Sequence, residues 1–190
     1  MSQEIEDKRK EMQEYIDTLP EPQGPEAYDR LIKITIEGNV ATSSSTENFT
    51  DCVPLVYTDF FLVSNIPDSN VSAGTTGGGQ MEIKMTGFIV PQNAALGATF
   101  DAVFKKTPAT IEYIKLHEVN NKKVPHYGYT LNNCAVIGTV HEYKQYQIII
   151  ASPQKVTFER NRFDENGVKL GKEAVGHFDA SNGSTAAPGG

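Results

Sequence analysis

The sequence contains no tryptophan, only two cysteines and no uninterrupted apolar run of about 18 residues, the length a membrane-spanning helix needs. Membrane insertion through helices is therefore not expected. The opening MSQEIEDKRKEMQ is charged throughout and lacks the apolar segment of a signal peptide, so export by the general secretory route is not expected either. Clustered positive charge is missing as well. The net charge is −7 at pH 7, and Lys105-Lys106 and Lys122-Lys123 are isolated pairs. Phosphate backbones need grouped Lys and Arg, so nucleic acid is a poor partner. Cys52 and Cys134 stand far apart and outside any CxxC spacing, which reads as two buried thiols in a reducing compartment. A disulfide would require adjacent strands with the right geometry.

Motifs for chemistry are equally scarce. His117, His126, His141 and His177 occur in no metal-ligand spacing, and the two cysteines complete no zinc set. His117 and His126 can face each other across the 119–123 turn, where a cross-strand polar pair is the simpler reading. There is no GxSxG elbow and no Cys-His pair by spacing, and carboxylate pairs such as Asp164-Glu165 sit in turn-like sequence. No enzyme, cofactor or metal is expected. Asn65–Gln80 (NIPDSNVSAGTTGGGQ) is glycine-rich, but it leads into an alternating strand rather than a helix and lacks the Lys-Ser/Thr ending of a phosphate loop.

What is present is β-strand. Residues 110–160 read as three or four consecutive strands with short connections: TIEYIKLHE, the turn VNNKK, the long PHYGYTLNNCAVIGTV, then KQYQIIIA, the hinge Ser152-Pro153 and KVTFER. In the long strand the apolar positions are odd up to Leu131 (Tyr127, Tyr129) and even after Asn132-Asn133 (Cys134, Val136, Val140). Strand side chains alternate between faces, so this change of phase predicts a bulge or break at the Asn pair. Upstream, LIKITIE (Leu31–Glu37) alternates, CVPLVYTDFFLV (Cys52–Val63) forms a strand with Pro54 pushing its start to an edge or bulge, and MEIKMTGFIV forms another. Leu96, Phe100, Val103 and Phe104 follow the helical period, with Asn93 as N-cap, Lys105-Lys106 at the C-terminal end and Pro108 as terminator. The expected fold is mainly β, a two-sheet barrel or sandwich with one packed helix.

Three regions are expected. Residues 1–27 form an appendage outside the core, a marginal polar helix (Glu4–Asp17) and a linker broken by Pro20, Pro22 and Pro25, either docking on a partner or mobile in the free protein, with mobility the favoured reading. Residues 28–180 form the β domain. After Arg160 the sequence contains turn signals at Asn161 and at Glu165-Asn166-Gly167, and the small, polar residues 181–190 read as a disordered tail.

The order of these elements carries a resemblance over about residues 28–180. The helix and following strand ATFDAVFKKTPATIEYIKLHE, the strand YTLNNCAVIGTVHEY and the closing KVTFERNRFDENGVKLGKEAVGHFD resemble segments of Hcp, the tube protein of bacterial type VI secretion systems. Residues 65–80 fall where that family carries an extended loop. The likeness rests on element order and length; the family often has a Trp-type aromatic where Phe158 stands, and the N-terminal appendage lies outside it. It implies a homohexameric ring stacked into a tube inside a contractile sheath, expelled from the cytoplasm without a signal peptide, with a VgrG-type spike, sheath proteins and a baseplate as partners and small effectors in the lumen. It also implies that Asn65, Asp68, Asn70, Gly74, Gly77, Gly78, Gly79 and Gln80 contact a neighbouring subunit, the glycines allowing close backbone approach. Three other readings stand beside it. One is a tail-tube protein of a phage or other contractile injection system. The second is a carbohydrate- or ligand-binding module using Tyr127, Tyr129, Tyr143 and Tyr146. The third is an enzyme of unrecognised type.

Overall fold

The computed structural model describes residues 3–42, 49–59, 62–65, 80–83, 85–91, 99, 105–153, 155–179 and 184–186. The fold is mainly β and antiparallel throughout. It opens with helix α1 (Gln3–Asp17) and a short 3-10 turn (Pro25–Ala27). Strands β1 (Arg30–Ile36), β2 (Asn39–Val40), β3 (Val53–Pro54) and β4 (Tyr57–Thr58) follow, then the hairpin of β5 (Leu62–Asn65) and β6 (Gln80–Ile83). The later strands are β7 (Thr86–Pro91), β8 (Pro108–Val119), β9 (Lys122–Tyr143), β10 (Tyr146–Pro153), β11 (Lys155–Phe163), β12 (Lys169–Asp179) and β13 (Ser184–Ala186).

The pairings trace a closed circuit. β1 pairs with β8, β8 with β9, β9 with β10, β10 with β7, and β7 with β4. The segment from β3 to β4 then returns to the start, because β3 pairs with β1 at Ile32↔Val53 while Val56 N–H donates to Ile89 O. What sequence reading took as one strand over 52–63 is thus three short ones. Pro54 lacks the N–H needed to continue a ladder, and the chain changes partners there. Closing the circuit leaves an interior, filled by Ile32, Ile34, Val53, Leu55, Phe88, Val90, Ile111, Leu131, Cys134, Val136 and Ile149.

Two-residue turns keep the ring tight. Glu37-Gly38, Asn120-Asn121 and Lys144-Gln145 all have positive φ at both positions. That is the type I′ geometry, whose twist matches antiparallel strands. Asn133 also has positive φ (58°), and between the pairs Ala109↔Cys134 and Ile111↔Leu131 β9 spends three residues where β8 spends two. This is the bulge expected at the Asn pair. It lets Leu131 and Cys134 both face the core.

Beyond the circuit, β11 continues along the same edge of β9 that β10 occupies, and β12 and β13 extend the sheet outward. Of the turn signals after Arg160, Glu165-Asn166-Gly167 is a turn, with Gly167 N–H donating to Asp164 O, whereas Asn161 lies inside β11. Residues Lys169–Asp179 form an 11-residue strand. Gly171, Lys172 and Glu173 lack apolar alternation because this strand lies at the sheet's margin, exposed from Lys169 to Ala174. Ser184–Ala186, expected within a disordered tail, pair with His177–Asp179 through main-chain groups that ask nothing of the side chains.

The N-terminal helix also departs from expectation. It docks on the outer face of β7 and β10, with Met12 and Ile16 buried against Ile89, Tyr146, Ile148 and Ile150. Gly87 makes room, since a Cβ there would lie 2.1 Å from Met12 Sδ. Lys8 pairs with Asp59, whose other oxygen accepts from Gly87 N–H at 2.8 Å. Tyr146 Oη donates to Pro20 O at 2.7 Å and Tyr143 Oη to Asp17 at 3.1 Å. The narrow stripe of Met12 and Ile16 suffices because a complementary groove exists. Of the helix expected over 93–106, Thr99 and Lys105 are helical, Lys106 stands in a turn with φ +53°, and the rest lies outside the described residues.

Candidate subunit interface

Asn65 and Gln80, the ends of the glycine-rich segment, face each other as a register pair of the β5–β6 hairpin. Asp68, Asn70, Gly74, Gly77, Gly78 and Gly79 lie outside the described residues. β6 runs close to β13, so the hairpin stands beside the end of the sheet.

That end of the sheet has an open edge. One edge of β12 is fully engaged with β11, while the other meets β13 only at His177, Phe178 and Asp179. Residues 169–176 therefore carry main-chain groups without a second strand among the described residues. Such an edge is a template for pairing with another chain. The hairpin leading into it is rigid. Asp164 accepts from Asn166 N–H and Val168 N–H, both at 2.8 Å, and Gly167 takes φ +78°. A Cβ on Gly167 would come within 2.8 Å of Val124 and Pro125, so this turn packs on the β8–β9 hairpin. Lys123 of that hairpin donates in turn to Tyr28 O at 2.7 Å. On this braced tip Val168 and Leu170 are 61% and 63% exposed, the most exposed large apolar side chains described. Sequence reading missed this edge because the strand itself was not foreseen.

The remaining candidates sort by burial. Cys52 and Cys134 are free and buried, and burial pushes both thiols up to about 12. Neither is a nucleophile or metal ligand in that state. His117 and His126 do meet across the β8–β9 turn, with ring centroids 5.6 Å apart, and no cluster of three His, Cys, Asp or Glu suited to a metal occurs among the described residues. No described helix is long and apolar enough to cross a membrane. The four tyrosines considered for ligand binding divide. Tyr143 and Tyr146 hold the N-terminal helix, whereas Tyr127 and Tyr129 line a cavity of about 390 Å³ with Thr58, Phe88, Ile111, Tyr113, Leu131 and Arg160.

No protein-family model and no curated protein matches the sequence. Solved structures do match. Hcp1 from E. coli EAEC 042 is 13% identical with a TM-score of 0.57, covering 77% of this chain and 98% of its own. A type six secretion system protein is 15% identical with a TM-score of 0.56, covering 82% and 99%. The secreted protein Hcp3 from Pseudomonas aeruginosa is 11% identical with a TM-score of 0.54, covering 76% and 98%. At these identities the shared property is the fold: the chain carries the Hcp fold of the type VI secretion system over most of its length.

Proposed function

We propose that this chain is a structural subunit of a type VI secretion inner tube, assembling as a homohexameric ring that stacks within a contractile sheath. The observation that carries this reading is the Hcp fold, shared over 98% of the E. coli and Pseudomonas chains. An isolated barrel has no need of a braced hairpin with two exposed apolar side chains beside an open strand edge. A subunit that must pair with copies of itself does. Head-to-tail contacts of one surface with a different surface close into a ring when the rotation allows. In this reading β12 and its hairpin supply one contact, and Asn65, Asp68, Asn70, Gly74, Gly77, Gly78, Gly79 and Gln80 reach an adjacent subunit within or between rings. The spike of VgrG type, the sheath and the baseplate are the partners, the lumen holds small effectors, and the route out of the bacterial cytoplasm uses no signal peptide.

Negative-stain electron microscopy beside light-scattering mass tests it. Six-fold rings with an open centre, at six times the 20.8 kDa chain mass, are expected. A monodisperse monomer across a wide concentration range, together with failure to enter tubes seeded by preformed rings, would overturn it. Replacing Gly77, Gly78 and Gly79 together by Val tests the loop separately. Loss of rings with an unchanged monomer circular dichroism spectrum is expected, and intact rings would remove the loop from the interface.

A further inference from the structure

The cavity of about 390 Å³ lies where the β circuit parts. β10 pairs with β9 down to Cys134, β11 takes over from Leu131, and β7 begins only at Thr86. β10 joins β7 to β9 only as far as Pro153, and beyond it no described strand lies between β4–β7 and β9–β11. The cavity floor is the core itself, Phe88, Ile111 and Leu131, exposed to 2%, 1% and 7%. Three half-buried tyrosines form the walls. Tyr127 and Tyr129 meet edge to face (81°, centroids 6.1 Å apart) and Tyr113 is tilted against Tyr127 at 6.4 Å. Ring faces that are not stacked on one another are free to take a further flat ring. Burial, with the neighbouring Tyr127 phenol, pushes Tyr113 up to about 12, so its hydroxyl stays a hydrogen-bond donor.

At the mouth stands Arg160, exposed and without ion pair or side-chain hydrogen bond among the described residues. Of the cations nearby, Arg30 and Lys115 are engaged, whereas Arg162 of β11, in register with Tyr127, has no ion pair or side-chain hydrogen bond among the described residues either. Arg30 pairs with Asp29 and donates to Val56 O, and Lys115 pairs with Asp29. An unpaired guanidinium is notable on a chain of net charge −7, where acids outnumber bases. Its planar fork matches a carboxylate. The apolar floor disfavours a hydroxyl-rich sugar, whose buried hydroxyls would lack partners beyond the three phenols and Thr58.

We infer that this cavity is a binding site for a small aromatic acid, its flat ring seated between Tyr113, Tyr127 and Tyr129 over the Phe88–Ile111–Leu131 floor and its carboxylate held by Arg160. The volume falls in the range of small-molecule pockets. The site adjoins the β12 edge through the register pair Arg160↔Glu173, and the cavity is formed within one chain.

The test uses 1-naphthoate and its neutral counterpart 1-naphthalenemethanol, followed by NMR of the full-length protein with labelled tyrosine. Saturable shifts at Tyr113, Tyr127 and Tyr129 are expected for naphthoate, with the alcohol about tenfold weaker, the scale of one lost charge-assisted hydrogen bond. Arg160→Gln, an exposed change that leaves the fold intact, should bring naphthoate to the level of the alcohol. Tyr129→Phe should keep most of the binding, since the ring face remains. Absence of saturable shifts up to millimolar ligand, equal affinity for acid and alcohol, or indifference to Arg160→Gln would each overturn the assignment. So would tyrosine shifts that follow protein concentration without ligand, which would make a second copy of this chain the occupant.

Discussion

A methyl group on Gly128 would sit 2.3 Å from the carbonyl oxygen of Tyr113, a backbone atom fixed by the β8–β9 ladder. Nothing flexible can yield there. Gly128→Ala should therefore destabilise the fold by at least ~2 kcal/mol, the upper part of the range for overpacking, read from the urea midpoint. A loss below ~0.5 kcal/mol would mean the two strands can part without cost. The thiols permit a second residue-scale prediction. Burial raises Cys52 and Cys134 from an ordinary 9.0 to about 12. A folded-state value above the unfolded one means that stability is fully present below pH 9 and drains away as pH rises towards 12. Stability should fall steadily over that window, and the double variant Cys52→Ala/Cys134→Ala should fall less steeply. At pH 8 neither thiol should react with an aromatic disulfide reagent until the protein is unfolded. At this scale the sequence was informative where chemistry is local. The phase change at Asn132-Asn133 announced the bulge because alternation leaves no other way to keep Leu131 and Cys134 on one face. Arg160 was invisible as a site residue, since its position at a cavity mouth depends on where β11 leaves the circuit.

Among the elements, α1 shows what a pattern can and cannot say. Its helical character is readable from the sequence over Glu4–Asp17, but its docking is not. Only Met12 and Ile16 are buried, too few to signal a core face, and the groove that receives them depends on Gly87, far along the chain. Lys8 and Asp59 then tie the helix to the start of β7, because Asp59 also accepts from Gly87 N–H. Ile16→Ala should cost ~2–5 kcal/mol, as for other fully buried aliphatic side chains. Removing residues 1–19 should uncover Ile89, Ile148 and Ile150 and give a protein that binds anilinonaphthalene sulfonate and aggregates. A truncated protein that stays monomeric, dye-free and equally stable would return the helix to the role of a loose appendage. β12 marks the opposite failure. Its residues carry no apolar alternation, so periodicity had nothing to detect, and its existence follows from the main-chain ladder that β11 offers.

For the whole molecule, the question is which surface the closed circuit leaves unsatisfied. Strands β1, β8, β9, β10, β7 and the β3–β4 segment satisfy one another around the ring, and α1 covers the outer face of β7 and β10. The β11–β12 extension ends in an open edge at residues 169–176 among the described residues, and it is the part that bears Val168 and Leu170. Exposed residues on a turn already braced by Asp164 and by Val124-Pro125 contribute little to the fold of one chain. Leu170→Glu should thus shift unfolding stability by no more than ~0.5 kcal/mol, the range of ordinary surface changes. If this edge joins one subunit to the next, the same substitution places a charge in a dry contact six times per ring, and rings should disappear from micrographs while the monomer keeps its circular dichroism and melting profile. Val40→Glu provides the control, because Val40 is 45% exposed on β2, which pairs with β1 alone among the described strands. Loss of rings in both variants would point to general charge repulsion, and loss in neither would move the interface off this edge. Loss with Leu170→Glu alone assigns the contact to β12.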